Sequence, residues 1–291
     1  AASRMTIAAH GRPCLDMGAR RGHERAAVSA ARASVIGGFA GTSDLEAGKR
    51  YGIPVIGTAA HAFTLLHDSE RQAFDAQIAS LGPSTTLLVD TYNVTEGVKT
   101  AVEAARAAGG ELGAVRLDSG DLVAQAFTVR GQLDALGATS TKITVTSDLD
   151  EYAIAALGAA PVDSYGVGTR LITGSGVPTA ALVYKLVSRE DSDGNMVGVA
   201  KKSASKNTVA GKKYAGRLYD EDGYASEEIL FTGSGEEAAA FFEENGARPL
   251  QVPLIVDGEI QSEAWSSQAL SEAQAHHLRS RNELPYQAWR L

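Results

Sequence analysis

The side chains best equipped for chemistry stand in short polar clusters, each directly after an apolar run. In VRLDSGDL (115–122), two-residue alternation puts Arg116 and Asp118 on one side of an extended segment, with Leu117 opposite. A carboxylate held there is an ion-pair partner, a holder of Mg²⁺-bound ribose hydroxyls, or a group facing a developing cation. Asp121, after the Ser119–Gly120 turn, reads equally as the N-cap of the next helix. In DSYGVGTRL (163–171), Gly166, Gly168 and Thr169 offer a backbone-amide cradle for phosphate, or merely a turn. SDLDE (147–151) offers a second cradle, with Ser147 or Asp148 as N-cap and free amides beyond.

His61 lies in GTAAHAFTLLHD (57–68), just past the apolar stretch 53–56. At pH 7 an ordinary imidazole is roughly three-quarters neutral, so His61 could attack a phosphoryl group without prior deprotonation; the alternative is a structural histidine. His67 is expected on a helix surface. Arg20 and Arg21, in DMGARRGHE (16–24), stand at a strand-to-helix junction, where a guanidinium grips a carboxylate or phosphate bidentately. His23 and Glu24 read as first-turn helix residues. Thr42, Ser43 and Asp44 look like the cap of the following helix. Cys14 has no second cysteine, which argues against a zinc site and against an internal disulfide. There is no P-loop and no G-x-G-x-x-G after a strand, so any nucleotide phosphate needs a different cradle.

These clusters must be carried by repeated βα units. Seven apolar runs, beginning near residues 13, 36, 54, 85, 112, 142 and 163, alternate with Ala-rich helical stretches at 24–36, 64–81, 95–108, 121–136 and 149–158. Polar residues close every run, whereas an open doubly wound sheet concentrates ligands at its switch point. A parallel barrel brings all the strand ends to one face. The expected fold is therefore α/β, an irregular and incomplete barrel over 1–190. Residues 1–9 look like the end of a helix. After Pro178 the texture becomes β-rich, with a hairpin of 180–190 and 196–204 around DSDGN (191–195). The expected second domain, 191–291, ends in a polar helix before Pro285. Its basic run at 201–217 and acidic run at 220–244 are solvated faces, unless SASKNTVAGKK (203–213) reaches toward phosphates.

Composition limits the partners. With 27 Lys plus Arg against 35 Asp plus Glu, the net charge of −8 disfavours nucleic acid. No apolar run approaches the ~18 residues of a membrane span. A signal-peptide pattern is missing from residues 1–20, and a lone cysteine fits the cytoplasm.

Taken together, GARRGHE (18–24), GTSDLEAGKRYGIP (41–54), GTAAHAFTLLHD (57–68), DTYN (90–93), RLDSGDL (116–122), SDLDE (147–151), YGVGTRL (165–171), YKLV (184–187) and KNTVAGKK (206–213) resemble nicotinate phosphoribosyltransferases over about 70% of the chain. The resemblance implies the type II phosphoribosyltransferase fold, with the β-rich part belonging to an α/β sandwich domain, and a homodimer. It implies a reaction of nicotinate with phosphoribosyl pyrophosphate, driven by ATP as co-substrate with Mg²⁺, giving nicotinate mononucleotide and pyrophosphate. It assigns His61 as the histidine that ATP phosphorylates, Arg20 as the contact to the pyridine carboxylate, and Arg116 and Asp118 as the lining of the ribose and base site. Ser147, Asp148, Gly166, Gly168 and Thr169 fall at the 5′-phosphate, and Lys185 and Lys206 at phosphate groups.

Relatives that use nicotinamide carry an acid at the position of Ser43; a serine can donate to a carboxylate, which favours nicotinate. Asp44 and Met17 depart from the asparagine and the ring-stacking phenylalanine many members have; alternation points Met17 away from the site, but need not hold beyond the strand end, so the residue that stacks on the base is left unassigned. The family's N-terminal domain has no counterpart here, so the resemblance also implies that activity needs that segment. The rivals are a nicotinamide phosphoribosyltransferase, a catalytically silent fragment acting as an assembly scaffold, and another phosphate-binding barrel enzyme.

Overall fold

β-Branched and aliphatic runs become strands where both faces are covered, and in this protein helices cover them. The computed structural model describes residues 1–177, 179–204, 207–261 and 267–290. It divides into two units, the first formed mainly by 1–178 and the second mainly by 179–264 with 276–290.

In the first unit, α1 (Ala2–Ala8) precedes β1 (Cys14–Asp16), a 3-10 turn at Ala19–Arg21 and α2 (Glu24–Ile36). Then follow β2 (Gly41–Thr42), α3 (Leu45–Tyr51), α4 (His61–Leu65), α5 (Glu70–Leu81), β3 (Thr86–Leu88) and α6 (Val94–Ala107). β4 (Ala114–Leu117), α7 (Leu122–Ala135), β5 (Lys142–Val145), α8 (Glu151–Ala156), β6 (Ser164–Val167) and α9 (Thr169–Ile172) complete the repeats.

The local chemistry is that of capped amphipathic helices. His23, Asp44, Ser69, Asn93, Asp121 and Asp150 each accept a backbone N–H in the first turn of the helix that follows. α6 buries Val98, Ala101, Val102 and Ala105 at the 3.6-residue period. Two expectations are corrected here. The helix anticipated at 64–81 is split, because Ser69 caps a new helix after the short α4. The cap of α8 is Asp150, whose Oδ1 takes the N–H groups of Tyr152 and Ala153, and neither Ser147 nor Asp148.

The six strands form one parallel sheet in the order β2-β1-β6-β5-β4-β3. β1 and β6, first and last in this series, are paired, as ring closure requires, while the other pairs follow chain order. The run at 54–58 contributes one parallel bridge, Val55 to Thr42, and no full strand. The ring is therefore open between that segment and β3, an incomplete barrel. Side chains span the opening: Arg116 Nη1 donates to Thr58 Oγ1 at 2.6 Å, and His61 Nδ1 lies 3.1 Å from Thr91 Oγ1. The core lies between sheet and helices, where Leu87, Val115, Leu117, Ile143, Val145, Tyr165 and Val167 are fully buried. Cys14 belongs to it, and burial pushes its thiol up to about 12, which leaves it unreactive.

The second unit has a hairpin of β7 (Ser188–Glu190) and β8 (Met196–Gly198), then β9 (Lys213–Tyr219), β10 (Ala225–Thr232), α10 (Gly235–Glu244) and β11 (Arg248–Pro249). β12 (Ile255–Val256) pairs with β13 (Glu259–Ile260), and α11 (Ser267–Asn282) runs from the first unit into the second. β9 is the centre of an antiparallel sheet ordered β10-β9-β11, and α10 packs Ala238 and Phe242 against Tyr214, Leu218, Ile229 and Phe231. The hairpin is shorter than its apolar pattern suggested. Residues 179–187 form no strand, and Leu182 and Tyr184 stand 91% and 92% exposed, so that segment lacks the buried face that would hold it in a sheet. No described helix is long and apolar enough to cross a membrane.

Candidate active site

The carboxyl ends of the parallel strands open onto a cavity of about 770 Å³. Arg20, Ser43, Arg116, Asp118, Ser147, Asp148, Gly166, Gly168 and Thr169 all line it. They come from five separate strand ends and meet because the ring curls them together.

Arg116 and Asp118 do share a side. Arg116 Nη2 pairs with Asp118 Oδ1 at 3.1 Å, and the two side chains are 13% and 28% exposed. Thr146, just past β5, locks both: its hydroxyl donates to Asp118 Oδ1 and accepts from Arg116 Nε at 2.9 Å. The second oxygen of Asp118 remains directed at the mouth, 3.8 Å from His61 Nε2. Arg116 is thus a scaffold for the carboxylate, with a further link to Thr58.

His61 opens α4 beside the cavity. Its Nε2 lies between two carboxylates, 3.9 Å from Asp90 Oδ1 and 3.8 Å from Asp118 Oδ2, both too long for hydrogen bonds. In the tautomer protonated on Nδ1, the ring donates to Thr91 Oγ1 and presents the Nε2 lone pair.

On the opposite side Ser147 holds φ 118°, a conformation that strains a side chain with Cβ, and its carbonyl accepts from Leu149 N at 2.7 Å. Gly166 is required by packing: a Cβ there would lie 2.5 Å from Thr146 Cγ2 and 3.3 Å from Met17 Cγ. Met17 accordingly lines the cavity, contrary to the outward orientation that alternation suggests, because β1 ends at Asp16. Arg20 and Arg21 line the same wall, exposed and without an ion pair among the described residues.

Thr42 is buried rather than cavity-lining. It donates to Asp16 Oδ2 at 2.7 Å and accepts from Asp44 N, which steadies the loop that bears Ser43. Burial pushes the Asp16 carboxyl above its ordinary range, against the hydrogen bonds from Thr42 and Gly18 N. Asp44 turns its Oδ1 to Ala47 N as the cap of α3. Lys185 is exposed in the second unit, and Lys206 lies outside the described residues. Sequence reasoning did not single out Thr146, Thr91 or Asp16 as organisers of the site. Their one signal is position, a small polar residue within three places of a strand's carboxyl end.

Polar groups gathered at the carboxyl ends of a parallel ring define an α/β barrel with its functional face there. The sequence model of the nicotinate phosphoribosyltransferase (NAPRTase) family matches residues 13–223, and the chain belongs to that family. It is 57% identical over 238 residues to nicotinate phosphoribosyltransferase pncB1 of Mycobacterium tuberculosis, covering 79% of this chain and 51% of the relative. The Bacillus subtilis nicotinate phosphoribosyltransferase is 42% identical over 221 residues, 73% of this chain and 45% of that one. The chain thus spans about half the length of the curated relatives it matches. Its fold is similar to the crystal structure of human nicotinic acid phosphoribosyltransferase, with TM-score 0.72 at 23% identity over 99% of this chain and 68% of that one.

Proposed function

We propose that this protein transfers a phosphoribosyl group from phosphoribosyl pyrophosphate to nicotinate, forming nicotinate mononucleotide and pyrophosphate for NAD salvage. The observation that carries the reading is the meeting of Arg116–Asp118, Ser147/Asp148 and Arg20/Ser43 around one cavity, with His61 Nε2 3.8 Å from Asp118 beside it, in a chain of this family.

In this reaction the bond from the sugar C1′ to the pyrophosphate oxygen breaks, and the electron pair leaves with pyrophosphate. The pyridine nitrogen forms the new bond to C1′. Positive charge develops on the sugar, and a carboxylate about 4 Å away contributes roughly 4 kcal/mol at an effective dielectric near 20, a ceiling near three decades of rate. Asp118 supplies that carboxylate. Ser147, Asp148, Gly166, Gly168 and Thr169 bind the 5′-phosphate side, and Arg20 grips the pyridine carboxylate with Ser43 donating beside it. Lys185 and Lys206 are proposed at the phosphates.

ATP is the proposed co-substrate, and His61 Nε2 its phosphoryl acceptor, with Thr91 holding the Nδ1 proton. Mg²⁺ is proposed as the counter-ion that travels on the pyrophosphate and ATP oxygens. The described residues bring no three His, Cys, Asp or Glu together as a resident metal site, so no step is assigned to it. A homodimer, completion of the site by a further N-terminal segment, and a cytoplasmic setting suited to the lone buried thiol belong to the same proposal.

Incubation with γ-labelled ATP should place acid-labile label on His61. Label that persists in His61→Ala rejects that role. Turnover with nicotinate should exceed turnover with nicotinamide, and the reverse order would transfer the reading to the amide enzyme.

A further inference from the structure

Glu151 is a buried acid that this chemistry leaves unused. It is the first residue of α8, and its side chain is 6% exposed. Both carboxylate oxygens are taken by partners from other parts of the chain. Oε1 accepts from Arg4 Nε of α1 at 3.0 Å, and Oε2 accepts from Ser175 Oγ at 2.7 Å. Arg4 also donates from Nη2 to the hydroxyl of Tyr152, the next residue of α8, at 3.2 Å. Burial opposes the charge, but the hydrogen bonds from Ser175 and Arg4 outweigh it and hold the carboxyl below its ordinary range. Such a carboxylate is a stiff joint, because losing either partner leaves a buried oxygen without a donor.

The joint fastens two turns that line the cavity. Just upstream of Glu151 is the Ser147–Asp148 turn, in which Ser147 holds its strained φ of 118° and Asp150 caps α8. On the other side, Gly168 and Thr169 lead into the short α9, and the chain then turns back through Ser175. Ser175 N donates to the carbonyl of Arg170 at 2.6 Å, which fastens that turn to α9. Ser175 itself holds φ 51°, in the left-handed region that glycine adopts freely. Pairing of β5 with β6 reaches neither turn, since β5 ends at Val145 and β6 at Val167. The hydrogen bond from Ser175 to Glu151 spans that gap. Neither residue is among the described residues that line the cavity, so both act through the turns and not by touching a ligand.

Resting on the reading of these two turns as the 5′-phosphate cradle, we propose that Glu151 is a positioning residue that sets the width of the cradle, holding the Ser147–Asp148 wall to the Gly168–Thr169 wall through Ser175. The ligand it serves is the phosphate end of a ribose 5-phosphate unit, whose oxygens draw donors from both walls at once. Arg4 is the anchor that keeps the Glu151 carboxylate turned toward Ser175. Loosening the joint lets the walls separate, and the phosphate then gains contacts to one of them at the expense of the other.

Calorimetric titration of the full chain with ribose 5-phosphate and, separately, with nicotinate tests this. Glu151→Gln keeps the shape of the side chain and removes its charge. Ser175→Gly removes the hydroxyl and suits the left-handed backbone, so it keeps the proposal falsifiable if E151Q folds poorly. Both variants should bind ribose 5-phosphate about tenfold more weakly than the unaltered chain, with nicotinate affinity unchanged. Initial rates should show the same split, a raised KM for phosphoribosyl pyrophosphate at constant kcat. Ser175→Asn, which tolerates positive φ and still offers an N–H to Glu151, should recover most of the loss. Equal affinity for ribose 5-phosphate in S175G and the unaltered chain overturns the proposal, and so does an equal weakening toward nicotinate, which would mark a purely structural joint. An unaltered chain that takes up no ribose 5-phosphate rejects the cradle reading itself, and the proposal falls with it.

Discussion

Asp118 is held by two partners that use different atoms. Arg116 brings charge to Oδ1, Thr146 brings a proton to the same oxygen, and the other oxygen lies 3.8 Å from His61 Nε2. Removing the charge while keeping the shape, in Asp118→Asn, should lower kcat by up to about 10³ with little change in nicotinate KM, read from initial rates of mononucleotide formation. Thr146→Val removes the shared hydroxyl but not its volume. It should lower kcat about tenfold, and Thr146→Ser should restore most of the loss. Glu70 offers a stability measurement whose sign is set by its raised pKa. Because its folded value of about 6 exceeds the ordinary 4.5, its contribution is fully present below pH 4.5 and lost as pH rises through 6. Glu70→Gln should therefore be more stable than the parent above pH 7, by about 1–2 kcal/mol given partial exposure, with the difference vanishing near pH 4 in urea titrations.

At the scale of elements, caps and strand ends decide which side chains are free for ligands. Asp150 caps α8 and so releases Ser147 and Asp148 to the cavity wall. Asp150→Ala should cost about 1 kcal/mol in urea unfolding and raise the KM for phosphoribosyl pyrophosphate, because the strained Ser147 turn loses its anchor. The helices were legible from period and punctuation: α2 and α6 follow their apolar spacing closely. The segments that misled were those whose fate depends on a partner. An apolar run at 180–187 reads as a strand but has no buried face to occupy, and the run at 54–58 forms a single bridge.

For the whole barrel unit, the opening between residues 53–57 and β3 is the place where side chains replace backbone pairing. Local opening should be cheapest there. Hydrogen exchange should be fastest in 53–60, slow in β4 and β5, and phosphoribosyl pyrophosphate should slow the former by at least about tenfold. Uniform protection around the ring would contradict this.

Alternating polarity, capping residues and polar strand ends are local properties, so the residue string alone determined the α/β repeats, the barrel face and most of the cavity wall. Which atoms meet across the ring depends on register and curl. The tertiary structure alone decided that Thr146 bridges Arg116 and Asp118, that Met17 turns inward, and that His61 stands before two carboxylates. Sequence spacing measures distance along the chain, whereas electrostatic coupling falls with distance through space.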